Sequence, residues 1–466
     1  MNPVLDPSVY RDRRAALGAA VGGPVLLMGN GLQPRNLPLN ALPFRQDSTF
    51  LHFTGCGVPG AAAVLDEGRC ELFLPLPAPD DGLWHGQLEG PEALRARFGV
   101  DQVRAAEELE SACAGRRLVS MAVSDPRATA RLARLTGQAW AWGETHGDEV
   151  LVDAVIRLRR TRDAADIEAH RESARVTALA HCAAMAATHP GGHEREIAAL
   201  FDAVVASQGC VTAYDSIVTV RGEILHNPHH DNPLCAGDLL LLDGGAELSS
   251  GHCTDVTRTW PVSGTWAPRQ ASAYAAVLAA QEAAIASCRP GTRYRDVHLT
   301  SARVLTRWLV DEGLVKGPVD DAVAAGAHAI FYPHGCGHLL GLDVHDLEQF
   351  GDRAAYAPGA TRSEQFGLCY LRLDLPLEPG ILVTVEPGFY VAPAILDDPA
   401  LRAQLGAWVD FDAARDWVGF GGIRVEDDVL VTPGAPDVLT ASIPKTLEAV
   451  AGLVGSGPTP AERLGL

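Results

Sequence analysis

The chain has 466 residues, with 38 Lys+Arg against 58 Asp+Glu, so 38 − 58 gives a formal net charge of −20. A hydrophobic content of 47% places it among folded globular chains, and the length allows two or three domains with ample core. Such acidity repels phosphate backbones and anionic lipid, which argues against nucleic-acid and membrane partners and raises the question whether some carboxylates gather around hard cations.

Ten cysteines are scattered without a C-x-x-C pair, which reads as reduced thiols in a cytoplasmic protein. The apolar run Ala15 to Val21 behind Arg11 to Arg14 has the outline of a leader, but Gly22-Gly23-Pro24 breaks it and Asp6 and Asp12 sit in its basic region. No stretch of 18 apolar residues exists, so no spanning helix is expected.

In chain order, residues 1–160 read as a mixed α/β domain. Val25 to Met28 before Gly29-Asn30-Gly31 is a buried strand and turn. Ala61 to Leu65 and Cys70 to Leu74 flank Asp66-Glu67-Gly68-Arg69, a hairpin signature. Phe44 to Phe50, read locally, is a core strand with an Asp-Ser turn. A long Ala-rich helix starts after the N-cap Asp163 and ends at Pro190-Gly191-Gly192, which puts a second domain at 161–466. Ile197, Leu200, Phe201, Val204 and Val205 mark a further amphipathic helix stopped by Gly209, and helices follow from about Pro268 to Ser287 and Asp296 to Glu312. Strand blocks lie at Leu239 to Asp243, Asp255 to Val262, Leu382 to Glu386 and Ile423 to Val431. With helices and strands so segregated, the fold class is α+β, and no G-x-G-x-x-G or phosphate loop is present.

Those strand blocks carry the chemistry. Leu239 to Leu242 delivers Asp243, and a turn returns the chain through Asp255, so two antiparallel strands would bring these carboxylates together. His334-Gly335-Cys336-Gly337-His338 follows, then Glu386 at the end of an apolar strand and Glu426 inside another. Each piece alone is commonplace; their joint occurrence on apolar strands is not, because a buried carboxylate is costly unless paired or metal-bound. Asp243, Asp255, Glu386 and Glu426 sum to −4, which two divalent cations would balance. His338 adds one imidazole. An oxygen-rich set with a single histidine favours Mn²⁺, with Zn²⁺, Co²⁺ and Fe²⁺ as alternatives.

The ordered set Asp243, Asp255, His338, Glu386 and Glu426 resembles the five-ligand motif of the pita-bread metallopeptidases, family M24. Ile224-Leu225-His226, Leu342 to Asp346, Val385 to Tyr390 and Gly422 to Asp428 extend the likeness, and Phe44 to Phe50 with Phe53-Thr54-Gly55 resembles the N-domain signature of aminopeptidase P. The resemblance covers nearly the whole chain and points to the proline-specific branch. It implies a pita-bread catalytic domain behind a smaller N-terminal domain, and a homo-oligomer, dimer or tetramer.

The same resemblance implies a metal-dependent Xaa-Pro aminopeptidase acting on peptides with proline second, through a hydroxide bridging two metals. Glu386 would be the general base, and His226 and His345 would stabilise the tetrahedral intermediate. His334 would shape the pocket, with Tyr390 and Arg424 organising the ligands. The alternative is a prolidase confined to dipeptides, since Ile395 to Trp417 is an insertion able to roof the pocket. A non-catalytic binding protein on this fold would typically lack ligands that are all present here. Two departures stand out. Asp243 and Asp255 are 12 positions apart where the family usually has 11, the extra residue falling in a turn or bulge. Leu375 occupies a place where a basic residue is expected, the nearest being Arg372. His252 and His328 match no motif position.

Overall fold

The structure, a computed structural model, describes residues 5–77, 81–86, 88–143 and 146–464. Among these the chain forms two compact units: one runs to Arg160 and takes in Leu347–Ala354, the other comprises Thr161–Asp346 and the chain from Ala355 onward.

The first unit is built on a five-stranded sheet. Val25–Met28 pairs antiparallel with Ala62–Asp66, which turns through Glu67 (φ 46°) and Gly68 (φ 78°) into Arg69–Leu74. Positive φ at both turn residues matches the strand twist, so the hairpin expected from Asp66 to Arg69 forms. Gln102–Ala105 and Val119–Ser120 close the two edges in parallel. Leu26, Val64, Phe73, Leu109 and Leu132 pack together as its core. The Phe44 to Phe50 segment is not the strand its local pattern suggests: Asp47 Oδ1 accepts from Phe50 N at 2.8 Å and caps a buried helix, Ser48–Thr54.

The second unit joins two antiparallel ribbons to long helices. Ala164–Ala187 begins at the Asp163 cap, and Glu194–Ser207 follows. Leu239–Asp243 lies centrally between Ile217–Thr219 and Thr257–Pro261, antiparallel to both. All four leucines of that strand are buried, as a strand covered on both faces requires. In the other half, Leu382–Val385 pairs with Asp427–Leu430, and Gly388–Tyr390 pairs with Gly422–Arg424. The block read as one strand from Ile423 to Val431 is therefore two, interrupted at Val425 and Glu426. There the backbone changes partners: Val425 N donates to Pro387 O at 3.4 Å and Glu426 N to Thr257 O at 3.1 Å. Thr259 Oγ1 donates to Arg424 O at 3.0 Å, so the two halves meet along this line. Helices Pro268–Ser287 and Tyr294–Asp311 contribute to an apolar cluster with Phe331, Phe389 and Trp417.

Candidate metal centre

Each acidic side chain reaches the centre because a strand ends or breaks beside it. Asp243 closes its strand, paired with Thr257, and the chain returns to Asp255 through a turn at 248–252. Within that turn Gly251 N donates to Leu248 O at 2.8 Å and Leu248 N to His252 O at 3.0 Å, after which Thr254 N resumes pairing with Ala246 O at 3.1 Å. Gly245 cannot carry a side chain, since a Cβ there would collide with the Thr254 carbonyl. From the helix beneath, His181 Nε2 donates to Gly244 O at 3.0 Å and His170 Nδ1 to Cys253 O at 2.8 Å, clamping both ends of the turn. Gly337, at φ 153°, lets the backbone before His338 press against the Thr384 carbonyl, and His338 N donates to Thr384 Oγ1 at 3.1 Å.

The five sequence-expected ligands converge. Ligand atoms of Asp243, Asp255 and Glu426 lie within 4.8 Å of one another, as do those of His338, Glu386 and Glu426. The two groups share Glu426, the arrangement expected of two neighbouring cations with a common ligand. His345 joins Asp255 and His338 in a third such group, its ring 4.5 Å from that of His338. His338 Nε2 is 3.4 Å from Asp255 Oδ2 and 3.7 Å from Glu386 Oε1.

The electrostatics of the protein atoms alone are unfavourable. Burial, with repulsion from neighbouring carboxylates, pushes Asp243 and Glu426 above their ordinary range and Glu386 to about 7. Asp255 is the exception: burial raises it, but the hydrogen bond and charge of His338 outweigh that and hold it low. Four buried carboxylates that cannot all ionise together, with one imidazole among them, form a donor set that divalent cations satisfy.

Arg424 ties the surroundings together. It donates to Asp243 Oδ2 at 2.5 Å, to Thr257 Oγ1 at 2.9 Å and to the Tyr390 hydroxyl at 3.0 Å. Thr257 in turn donates to Glu426 Oε2 at 2.6 Å. His334 Nε2 and the Tyr390 hydroxyl are 2.9 Å apart, and burial, followed by the charge of Arg424, drives the His334 imidazole down to about 3, so it is neutral. Tyr390 is 1% exposed and sits behind the cavity lining rather than in it.

A cavity of about 1130 Å³ opens over these residues, lined also by His226, His334, His345 and Arg424. Partial burial, then the charges of Arg424 and Arg372, lowers the His226 pKa and favours its neutral form. His252 and His328 lie elsewhere, both buried, His252 against Asp166 at 2.8 Å.

One residue escaped the sequence reading. The Tyr214 hydroxyl donates to Asp243 Oδ1 at 2.6 Å and contacts Asp255 Oδ1 as well, spanning both carboxylates. Arg372, the basic residue nearest Leu375, lines the cavity with its Nη1 2.9 Å from His345 Nδ1, whereas Leu375 is 5% exposed and packs inward. Of the Ile395 to Trp417 insertion only Ile395 lines the cavity; Leu396, Leu405, Val409, Phe411, Ala414 and Trp417 belong to the core cluster, so the segment does not roof the site.

A family model for metallopeptidase family M24 matches residues 168–433, and one for the aminopeptidase P N-terminal domain matches residues 10–118. The Xaa-Pro dipeptidase of Homo sapiens is 29% identical, covering 92% of this chain and 88% of that protein. A probable Xaa-Pro aminopeptidase of Emericella nidulans is 32% identical over 88% of this chain and 89% of its own. Among solved structures, Pseudomonas aeruginosa aminopeptidase PepP superposes with a TM-score of 0.80 at 31% identity, covering 97% of this chain and 98% of that one. Zinc-substituted Escherichia coli aminopeptidase P in complex with product gives 0.79 at 28%, with the same coverage.

Proposed function

The chain belongs to metallopeptidase family M24, with an aminopeptidase P N-terminal domain ahead of the catalytic one, and we propose that it is a metal-dependent Xaa-Pro aminopeptidase that releases an N-terminal residue preceding proline. The observation that carries this reading is the convergence of Asp243, Asp255, His338, Glu386 and Glu426 at one wall of an open cavity. Asp243, Asp255 and Glu426 would hold one divalent cation, and His338, Glu386 and Glu426 a second. The oxygen-rich donors favour Mn²⁺. When bound, the cations would acidify a water molecule and polarise the scissile carbonyl.

The rest is done by side chains of this chain. An Xaa-Pro bond is a tertiary amide whose nitrogen has no proton and must acquire one to leave. Glu386 accepts the proton of the attacking water and returns it to the proline nitrogen as the C–N bond breaks. His226 and His345 face the cavity and donate to the carbonyl oxygen as it gains charge. Arg372 beside His345 Nδ1 leaves Nε2 as the ring's donor. Arg424, Thr257 and Tyr214 fix the carboxylates from behind.

Likeness over 97% of the chain to aminopeptidase P structures supports an aminopeptidase over a dipeptidase. Likeness to a human Xaa-Pro dipeptidase keeps the second reading in play. Hydrolysis of Xaa-Pro-Ala and Xaa-Pro compared side by side decides between them: turnover of the tripeptide is expected, and activity confined to the dipeptide would establish the alternative. A homo-oligomer, dimer or tetramer, belongs to the same proposal, as does a cytoplasmic setting, which ten free cysteines support. Among the described residues, no helix is long and apolar enough to cross a membrane.

A further inference from the structure

His252 matches no motif position, yet it is the middle member of a hydrogen-bonded chain outside the five-ligand set. The Ser250 hydroxyl and His252 Nδ1 are 3.0 Å apart, and His252 Nε2 is 2.8 Å from Asp166 Oδ1. Asp166 stands in the first turn of the helix Ala164–Ala187, while Ser250 and His252 stand in the turn at 248–252. The carboxylate is held from behind: Asp163 N donates to Asp166 Oδ2 at 3.3 Å, and Asp166 N donates to Asp163 Oδ1 at 2.9 Å. Oδ1 therefore meets the imidazole in a fixed orientation. Asp166 and His252 are buried, whereas Ser250 is partly exposed, so the chain runs from the interior to a hydroxyl that solvent reaches.

A carboxylate accepts and does not donate, so His252 carries its proton on Nε2 and leaves Nδ1 to accept from the hydroxyl. A nucleophile beside a base, with the base oriented by a third group, is the arrangement of a Ser-His-Asp triad, here with the two ring nitrogens exchanged. Such triads are recognised by geometry and role, not by order in the chain. The ring of His170 lies 5.0 Å from that of His252, and burial drives it down to about 3, so it is neutral and no second imidazolium opposes a charge on His252. Among the described residues, the backbone N–H groups of Ser249, Ser250 and His252 donate to no protein acceptor. The same turn thus keeps donors available for negative charge developing at an attacked carbonyl.

We propose that Ser250, His252 and Asp166 form a second catalytic site, independent of metal, that hydrolyses esters of small acyl groups through an acyl-Ser250 intermediate. Ser249 and Gly251 on either side carry little bulk, which leaves a small acyl group room to reach the hydroxyl. As Ser250 Oγ bonds to the acyl carbon, its proton passes to His252 Nδ1. The ester C–O bond breaks, and the departing alcohol takes that proton. Water then gives a proton to His252 and attacks the acyl carbon; Ser250 Oγ leaves, recovers the proton, and the carboxylic acid is released.

The probe is p-nitrophenyl acetate, given to chelator-treated wild type and to Ser250→Ala, His252→Gln and Asp166→Asn, with thermal melting of each as the check on folding. Wild type should release nitrophenol at least about 10²-fold faster than Ser250→Ala, the lower end of what a positioned base contributes. Peptide mapping should place an acetyl group on Ser250, and it scores separately any spontaneous acetylation of Lys316 and Lys445, the only two lysines of the chain. Urea-denatured wild type should carry no acetyl on Ser250. Folded His252→Gln should lose the acetylation, and Asp166→Asn should slow it because the imidazole is no longer held in the right tautomer. Ser250→Ala alters only a partly exposed hydroxyl, and with the urea control it decides the matter even where a buried replacement unfolds. Wild type without acetyl on Ser250, a rate that Ser250→Ala leaves unchanged, or acetylation that persists in urea overturns the site.

Discussion

Arg424 Nη2 donates to Asp243 Oδ2 at 2.5 Å, and both side chains are buried, 5% and 12% exposed. A guanidinium placed there opposes the desolvation that raises Asp243 and orients its carboxylate while leaving the other oxygen to the Tyr214 hydroxyl at 2.6 Å. Arg424→Lys keeps a charge but loses the three-way fork to Asp243, Thr257 and Tyr390. Metal affinity measured by calorimetry should fall by about 10- to 100-fold, the usual cost of losing a group that orients ligands. Unchanged affinity would show the fork to be dispensable.

Tyr214→Phe removes the hydroxyl that spans Asp243 and Asp255 without changing the ring. Burial and the surrounding carboxylates hold that phenol well above its ordinary pKa, so it acts only as a donor. The variant should bind metal more weakly and show a lower kcat, with a cavity still able to accept peptide. A KM for Leu-Pro-Ala that rises while kcat holds would contradict this and point to substrate contact instead.

Glu386→Gln separates chemistry from stability. A general base contributes about 10²- to 10⁴-fold in rate, so turnover should drop at least that far if Glu386 has the role proposed for it. Its folded pKa of about 7 lies above the unfolded value of 4.5, so the folded state holds this proton more tightly. In metal-free protein the ionised group therefore costs stability as pH rises from 4.5 through about 7, and Gln avoids that cost. Melting in chelator should be higher for the variant than for wild type at pH 8 and similar at pH 4.5.

Buried histidines predict acid lability. His170 and His181 are fully buried, each donating to a backbone carbonyl, and desolvation lowers both to about 3. A folded pKa below the unfolded value near 6.5 means the unfolded chain takes up the proton first. Stability from these groups is complete above about 6.5 and is lost as pH falls toward 3, by about 1.4 kcal/mol per pH unit for each histidine. Because they clamp Gly244 and Cys253, the turn between Asp243 and Asp255 should loosen in the same window. Denaturant melts from pH 4 to 7 measure the slope, and His181→Gln should lower it by about one proton.

What the sequence made legible was whatever left a local mark. Leu239 to Asp243 reads as a buried strand delivering a carboxylate, and Asp163 and Gly209 bound helices by cap and stop chemistry. What escaped depends on contacts far apart in the chain. Tyr214 sits in an irregular stretch with no periodicity, and only folding brings its hydroxyl between residues 29 and 41 positions away. The strand break at Glu426 follows from its amide bonding Thr257 O instead of continuing the ladder, which no alternation of apolar residues announces. Asp47 misled for the converse reason. The apolar run after it suits a strand, and a single side-chain cap decides for helix.

Clustered carboxylates would hold the metals on which peptide hydrolysis depends. Exhaustive chelation followed by stepwise Mn²⁺ addition, with hydrolysis of Leu-Pro-Ala followed at each step, tests it most directly. Activity should be lost on chelation and recover to saturation near two ions per chain. Activity indifferent to both chelation and add-back would contradict it.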